Sequence, residues 1–165
     1  STTTLQFPRA HHNLVRVGLL TYDLPPLNTN LHFIPALSLK AQITQIRSLM
    51  PGQTLSYGGT FRLTRPSRIA IIPLGYADGF NRRLSNQAQV LVHNKRCPVV
   101  GTVCMDLTLI DVTDVPQVKL GDEVILLGTS QNDQITAQDL ATWSDTIVHE
   151  IISQFSPRLP RHYLP

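Results

Sequence analysis

The chain has 165 residues, of which 42% are hydrophobic and 15% are charged, and its formal net charge is +3 at pH 7. This composition suits one packed domain, or a domain plus a fragment of another, and it excludes a disordered acidic or basic tail. The small positive charge gives weak support to nucleic-acid binding, which usually requires a concentrated basic face. The sequence predicts neither a membrane-spanning segment nor a signal peptide.

Residues 14–22 form an almost continuous apolar run that only Arg16 and Gly18 interrupt. Such a run predicts a strand buried on both faces, as in a parallel barrel. An arginine inside it is costly unless it is paired or faces a ligand, so Arg16 becomes a candidate binding residue. Residues 25–35 are rich in turn formers and predict a linker between two structural units.

Beyond the linker the sequence has the two-residue period of β-structure. Apolar side chains at positions 37–43 alternate with polar ones, which predicts a half-buried strand. Turns are predicted at 50–53 and 119–122. We therefore expect a mainly β chain whose residues 36–165 form an antiparallel, β-barrel-like domain. Further strands are predicted at residues 54–63, 68–74, 89–92, 98–104, 107–112 and 123–127.

Two short helices are predicted late in the chain. Thr136 and Asp139 have the spacing of a capping box, so a helix is expected to begin there and to end near Trp143. A second helix is predicted over residues 145–154. Its apolar positions, which should share one face, are Ile147, Ile151 and Phe155.

Three segments place a reactive or recognition side chain among glycines, where the backbone can turn sharply and expose that side chain. Tyr57 lies in Leu-Ser-Tyr-Gly-Gly-Thr, Tyr76 in Leu-Gly-Tyr-Ala-Asp-Gly, and Met105 in Gly-Thr-Val-Cys-Met-Asp. Each segment alone is weak evidence. Taken alone, Tyr57 fits a half-buried strand aromatic better, and Met105 could fill the core, which is the commonest role of methionine.

In their order and spacing, the three segments resemble the C-terminal domain of alanine racemase, a pyridoxal-phosphate enzyme. The resemblance covers nearly the whole chain. Residues 1–8 resemble the family's Asn-Ser-x-x-x-Leu-x-Phe-Pro segment, residues 15–19 its Val-Arg-x-Gly-Ile segment, and residues 158–161 its Arg-Val-Pro-Arg segment. The resemblance implies that residues 1–24 end a TIM-type βα barrel that carries the cofactor, and that residues 36–165 are the C-terminal β domain.

The resemblance implies that Tyr57 is the base that handles the proton of the L-enantiomer, on the face opposite the cofactor lysine. Racemisation needs two proton donors or acceptors on opposite faces of the reacting carbon. A free phenol has a pKa of about 10 and needs a neighbouring positive charge to act as a base near neutrality.

The resemblance also implies a set of cofactor contacts. Arg16 would hydrogen-bond the pyridine nitrogen of pyridoxal 5'-phosphate, and its own pKa of above about 12 would leave that nitrogen unprotonated. The backbone N–H groups of Gly18 and Leu19, and the hydroxyl of Ser1, would bind the phosphate. From the residues alone, Arg16 could instead cap a barrel edge or form a salt bridge with a loop, and Gly18 could be a packing glycine.

Tyr76 and Met105 resemble residues that line the substrate entrance and the inner gate of the family. A small gate would admit alanine and hinder larger amino acids. The histidine pair His11-His12 has no counterpart in the family, and two adjacent side chains on a strand would point in opposite directions, which argues against a metal site.

The chain contains three lysines, and none resembles the Schiff-base lysine of the family. They are Lys40, Lys95 and Lys119. We therefore expect the chain to be an excerpt of a longer protein, and to be inactive alone. The family's phosphate-contacting tyrosine near the C-terminus also has no match, since Pro157 stands there.

The resemblance implies a cytoplasmic homodimer that interconverts L-alanine and D-alanine and supplies D-alanine for peptidoglycan, with each active site shared between subunits. Cys97 and Cys104 fit this location, because one pair of cysteines is no disulfide framework and is expected to be reduced.

Two alternatives remain. One is a racemase of the same family that acts on serine or on a broader set of amino acids. The other is a non-catalytic β-barrel module that binds polyanions or a protein partner. The second alternative predicts an exposed basic face formed by Arg62, Arg65 and Arg68.

Overall fold

The structure, a computed structural model, describes residues 2–22 and 34–164. Contacts divide the chain into two units, residues 1–38 and residues 39–165. Most of the predicted linker, residues 25–35, lies outside the described residues. None of the helices in the described segments has the length and the apolar character that crossing a bilayer requires.

The first unit contains helical turns and no strand among its described residues. Helix α1 spans Thr2–Gln6, and 3-10 helices span Pro8–Ala10 and Leu19–Tyr22. The prediction of a buried strand over residues 14–22 is therefore wrong: residues 14–18 form no regular element, and Leu14 is 72% exposed. A strand forms only where a neighbour accepts and donates its backbone hydrogen bonds, and residues 2–22 contain no second extended segment.

The second unit is built from short strands, and all the pairings between its described strands are antiparallel. The strands are β1 Leu39–Gln42, β2 Gln45–Leu49, β3 Thr54–Leu55, β4 Phe61–Arg62, β5 Ser67–Ile72, β6 Gln89–Val92, β7 Lys95–Pro98, β8 Thr108–Asp111, β9 Glu123–Thr129 and β10 Gln134–Ile135.

The strands form two larger sheets and one small hairpin. One sheet has the order β1-β9-β6-β7, with β10 also paired to β9; the other has the order β2-β5-β8. A bridge between Val99 and Ile110 joins the two sheets beside β7 and β8. At the other side, β1 continues into β2 through Ile43 and Thr44. The strand order thus returns to its starting point, which confirms the predicted antiparallel, barrel-like class.

The core of the second unit is mainly aliphatic and draws on the strands as well as on loops and helices. In β5 the residues Ile69, Ala70 and Ile72 are almost fully buried. One buried cluster lies beneath the β3–β4 hairpin and joins Leu55 and Val100 to Ile69 of β5. Because burial of one such side chain contributes about 1.5–3 kcal/mol, this cluster fixes the base of the hairpin to the sheet.

Two helices follow the last strand. Helix α2, Ala137–Trp143, begins at the predicted capping box: the Asp139 N–H donates to Thr136 Oγ1 over 3.0 Å, and the Thr136 N–H donates to Asp139 Oδ2 over 2.7 Å. Helix α3, Val148–Ser153, is shorter than predicted. Asp145 has a φ of 53°, a left-handed conformation that no helix interior accommodates.

Candidate active site

The three glycine-rich segments meet in the structure. We call them the Tyr57 loop (residues 55–60), the Tyr76 loop (residues 74–79) and the Met105 loop (residues 101–106). The Met105 loop contacts both of the others. The backbone N–H of Tyr76 donates to the carbonyl of Cys104 over 3.0 Å, and Thr102 Oγ1 donates to the carbonyl of Tyr57 over 2.9 Å. Residues that lie far apart in sequence therefore form one surface.

The Tyr57 loop is a tight turn that connects β3 to β4. Ser56 has a φ of 60°, and Gly58 and Gly59 have φ values of 76° and 57°, so the chain reverses within four residues. The strand predicted over residues 54–63 is therefore interrupted by a 3-10 turn at Tyr57–Gly59. The turn directs the Tyr57 side chain outward, and 75% of it is exposed. Tyr57 is therefore not a half-buried strand aromatic.

The Tyr76 loop packs against the Met105 loop at a position that only glycine can occupy. A Cβ atom on Gly75 would lie 2.2 Å from the carbonyl oxygen of Cys104 and 2.4 Å from that of Met105. Without a side chain, the two backbones approach closely enough for the N–H groups of Tyr76 and Ala77 to donate to those carbonyls. The Tyr76 side chain remains 45% exposed.

Met105 is a surface residue. Its side chain is 52% exposed, so the interpretation of Met105 as core filler is wrong. The prediction of a strand over residues 98–104 is wrong, because the strand here is β7, Lys95–Pro98. Gly101, with a φ of 81°, turns the chain out of the sheet before Met105.

An arginine near the chain's C-terminal end joins two of the loops. Arg158 Nε donates to Asp78 Oδ1 over 2.7 Å, and its Nη2 donates to Asp106. The backbone N–H of Gly75 also donates to Asp78, over 2.9 Å. Burial of Asp78 raises the pKa of its carboxyl, but the hydrogen bonds from Arg158 and Gly75 outweigh this and leave that pKa below its ordinary value.

A cavity of about 350 Å³ lies beside Tyr76. Besides Tyr76, its lining includes the cationic side chain of Arg82 together with Gly79, Asn81 and Gln154. Sequence reasoning did not identify Arg82 as a site residue. Its place at this cavity depends on the Tyr76 loop, which the residue pattern alone does not position.

The candidate cofactor contacts of the first unit are accessible. The Arg16 side chain and Gly18 are exposed, and Leu19 is the first residue of a 3-10 helix, so its N–H has no acceptor within that helix. The carbonyl of Gly18 accepts from the N–H and from the hydroxyl of Thr21, which fixes this turn. Ser1 lies outside the described residues. The roles of these residues stay predictions.

Two of the three lysines make surface contacts in the β unit. Lys40 pairs with Glu123 over 3.0 Å, and Lys95 donates to the carbonyl of Asp114 over 3.4 Å. Neither lies on the three loops.

The cysteines are free thiols in different settings. Cys97 is buried, which raises the pKa of its thiol to about 12. Cys104 is half-buried, and its sulfur lies 3.4 Å from Ser56 Oγ in the Tyr57 loop.

The basic residues named for a polyanion-binding face are engaged within the domain. Arg65 forms a two-pronged ion pair with Asp114, with the closer N–O distance 2.6 Å. Arg62 donates to the carbonyl of Gly52, and Arg68 donates to the carbonyls of Pro116 and Val118. This arrangement does not favour a polyanion-binding module.

Comparison with known proteins identifies the family of this β domain. Residues 36–163 match the family model for the alanine racemase C-terminal domain. The chain therefore belongs to the alanine racemase family. It is 46% identical to an alanine racemase from Thermodesulfovibrio yellowstonii over 160 residues, which cover 97% of this chain and 43% of that relative.

Solved structures agree. The chain resembles the crystal structure of alanine racemase from Bacillus anthracis with bound L-Ala-P at 37% identity and a TM-score of 0.92, over 100% of this chain and 43% of that one. It also resembles alanine racemase from Bartonella henselae with covalently bound pyridoxal phosphate, at 35% identity and a TM-score of 0.72, over 77% of this chain and 34% of that one. The chain thus spans less than half the length of these relatives.

Proposed function

We propose that this chain is the C-terminal part of an enzyme that interconverts L-alanine and D-alanine with pyridoxal 5'-phosphate, and so supplies D-alanine for peptidoglycan in the cytoplasm. Membership of the alanine racemase family supports the reaction. The observation that carries the proposal is the exposure of Tyr57 on a turn that the Met105 loop holds by hydrogen bonds. This phenol can reach a substrate outside its own domain.

The proposed role of Tyr57 is proton transfer at its phenolic oxygen. This oxygen removes the α-proton of L-alanine, or delivers a proton to the same face when D-alanine is the substrate. The second base must act on the opposite face, and we assign it to the cofactor lysine in the part of the protein outside this chain.

The first unit fits a cofactor that carries a phosphate and a ring nitrogen. Arg16 offers donors and no acceptor, which suits an unprotonated ring nitrogen. The N–H groups of Gly18 and Leu19, with the Ser1 hydroxyl, suit a phosphate. When bound, pyridoxal phosphate supplies the electron sink that makes the α-proton of an amino acid acidic.

We further propose that residues 1–24 end the cofactor barrel, that residues 25–35 are a linker, and that residues 36–165 are the C-terminal β domain. The family match over 36–163 and the contact boundary after residue 38 support this division. The exposed apolar side chains of Tyr57, Tyr76 and Met105 are then the surface that the second subunit of a homodimer covers.

Tyr76 and Met105 are proposed to narrow the entrance, which favours alanine over larger amino acids. The cavity beside Tyr76, with Arg82 in its lining, gives an entering carboxylate a cation to approach. A racemase for serine or for a broader set would use the same chemistry. A substrate panel with the full-length protein separates these cases: alanine should have the highest kcat/KM.

The test of the proposed function uses the full-length protein with its cofactor and the Tyr57→Phe variant. We expect the variant to retain the visible absorbance of bound cofactor and to lose racemisation by at least about a hundredfold, the low end of the effect of a positioned acid–base group. Residues 1–165 alone, mixed with the cofactor, should show no turnover. Unchanged racemisation by Tyr57→Phe would show that another group handles this proton.

A further inference from the structure

The phenolic group of Tyr57 is not held by its own contacts. Among the residues that the structure describes, no side chain or backbone group hydrogen-bonds its hydroxyl, and 75% of the side chain is exposed. Within the turn, the Gly59 N–H donates to the Ser56 carbonyl over 3.2 Å. The position of the phenol therefore depends on whatever fixes the backbone of the turn from outside.

Thr102, in the Met105 loop, makes that contact. It is only 6% exposed, and its Oγ1 donates to the Tyr57 carbonyl over 2.9 Å. Its own carbonyl accepts from Ser56 Oγ over 2.6 Å. One buried residue thus hydrogen-bonds two consecutive residues of the turn.

The direction of these bonds follows from the number of hydrogens. A threonine hydroxyl has one hydrogen, and that of Thr102 is used on the Tyr57 carbonyl. At the 3.2 Å contact between the hydroxyls of Thr102 and Thr60, Thr60 must therefore donate. Thr60 in turn accepts from Asn86 Nδ2 over 3.2 Å, while Asn86 Oδ1 accepts from the Gly101 N–H. The chain of donors Asn86, Thr60, Thr102 ends at the carbonyl of Tyr57, and each bond polarises the next.

We propose that Thr102 is a positioning residue for Tyr57: its hydroxyl fixes the Tyr57 turn, and with it the phenolic oxygen, for proton transfer at the L-face of the substrate. This inference rests on the proposed function. Gly58 and Gly59 leave the turn free to adopt other conformations once the hydrogen bond is lost. Misplacement of an acid–base group by 1 Å or so can cost up to roughly a hundredfold in rate.

The test compares Thr102→Val with Thr102→Ser in the full-length protein with bound cofactor. Valine keeps the shape of threonine and removes the hydroxyl, whereas serine keeps the hydroxyl. We expect Thr102→Val to lower kcat by between about tenfold and a hundredfold while KM for alanine stays within about twofold. Thr102→Ser should restore most of the rate. Ser144→Ala is the matched control, because Ser144, directly after helix α2, has another buried hydroxyl that donates to a backbone carbonyl.

A structural role alone would not alter which proton transfer limits the rate. For Thr102→Val we therefore expect the kinetic isotope effect with α-deuterated L-alanine to rise, and that with α-deuterated D-alanine not to rise. If Thr102→Val does not fold, Thr60→Val removes the donor to Thr102 and should shift the L-alanine isotope effect in the same direction by a smaller amount.

The outcomes separate this inference from the proposed function. Full activity of Tyr57→Phe overturns both. If Tyr57→Phe is inactive but Thr102→Val has normal kcat and isotope effects, the positioning role fails and the proposed function stands. A loss of activity in Thr102→Val with unchanged isotope effects, matched by Ser144→Ala, also overturns the positioning role. An isotope effect that rises for L-alanine only, with rescue by serine, supports it.

Discussion

The guanidinium group of Arg158 lies 2.7 Å from the carboxylate of Asp78, although the two residues are 80 positions apart in the chain. The same guanidinium group also binds Asp106, beside Met105. The side chain of Asp78 is almost fully buried, so its charge depends on this partner and on the Gly75 N–H. Arg158 therefore holds the Tyr76 loop and the Met105 loop together.

The ion pair predicts a pH dependence. The pKa of Asp78 is lowered in the folded protein, so its contribution to the free energy of unfolding is fully present above the unfolded pKa of about 3.9 and is lost as pH falls through the folded value. We expect Asp78→Asn to be less stable than the wild type at pH 7, and the difference to shrink below about pH 4. Urea unfolding of the full-length protein at pH 7 and at pH 3 measures this; a constant difference would contradict it.

The close approach at Gly75 predicts that an alanine there lowers activity, whereas an alanine at Gly52 does not. Gly75→Ala would force the Tyr76 and Met105 loops apart, and we expect a loss of about 1–3 kcal/mol of stability together with most of the racemase activity. Gly52→Ala is the control, because Gly52 has a φ of 89° and open space around it. Its cost should be about 1–2 kcal/mol from backbone strain, with activity retained. Equal activities would argue against the loop contact.

The two thiols are expected to differ in reactivity. At pH 8, iodoacetamide should label Cys104 first, because Cys97 is buried and the pKa of its thiol is raised to about 12. Peptide mass spectrometry over time gives both rates. In urea the rates should converge. Rapid labelling of Cys97 in the native protein would show that the sheet around β7 opens readily.

Helix α2 depends on its capping residue. Thr136→Ala removes the hydroxyl that accepts from the Asp139 N–H, and we expect a loss of about 1 kcal/mol. Thr136→Ser keeps the acceptor and should be close to neutral. Because α2 does not carry the candidate site residues, kcat should not change in either variant. A large change in kcat would mean that α2 contributes to the site.

Much of the fold was predictable from local pattern. The alternation of apolar residues located β1, and the spacing of Thr136 and Asp139 located the start of α2. Strand β2 was missed because Ser48 follows Arg47 and breaks the alternation after Ile46, and β7 because Lys95 and Arg96 are surface residues of a half-exposed strand. These strands form because they pair with neighbouring strands, and the sequence of one segment does not show which strands will lie beside it.

The apolar run at residues 14–22 misled for a related reason. Its composition fits a buried strand, but a strand also needs partners, and the described residues of the first unit supply none. At the candidate site, the glycine spacing indicated that Tyr57, Tyr76 and Met105 lie on exposed turns. It could not indicate Arg158, Thr102 or Asn86, because their contacts with the loops join residues far apart in sequence.

The junction between the two large sheets has a mechanical consequence. The Val99 N–H donates to the carbonyl of Ala88, which directly precedes β6 of the first sheet. The N–H of the next residue, Val100, donates to the carbonyl of Leu109 in β8 of the second sheet. Gly101 and Thr102 follow directly. Movement of one sheet against the other would therefore displace Thr102, whose hydroxyl donates to the backbone carbonyl of Tyr57.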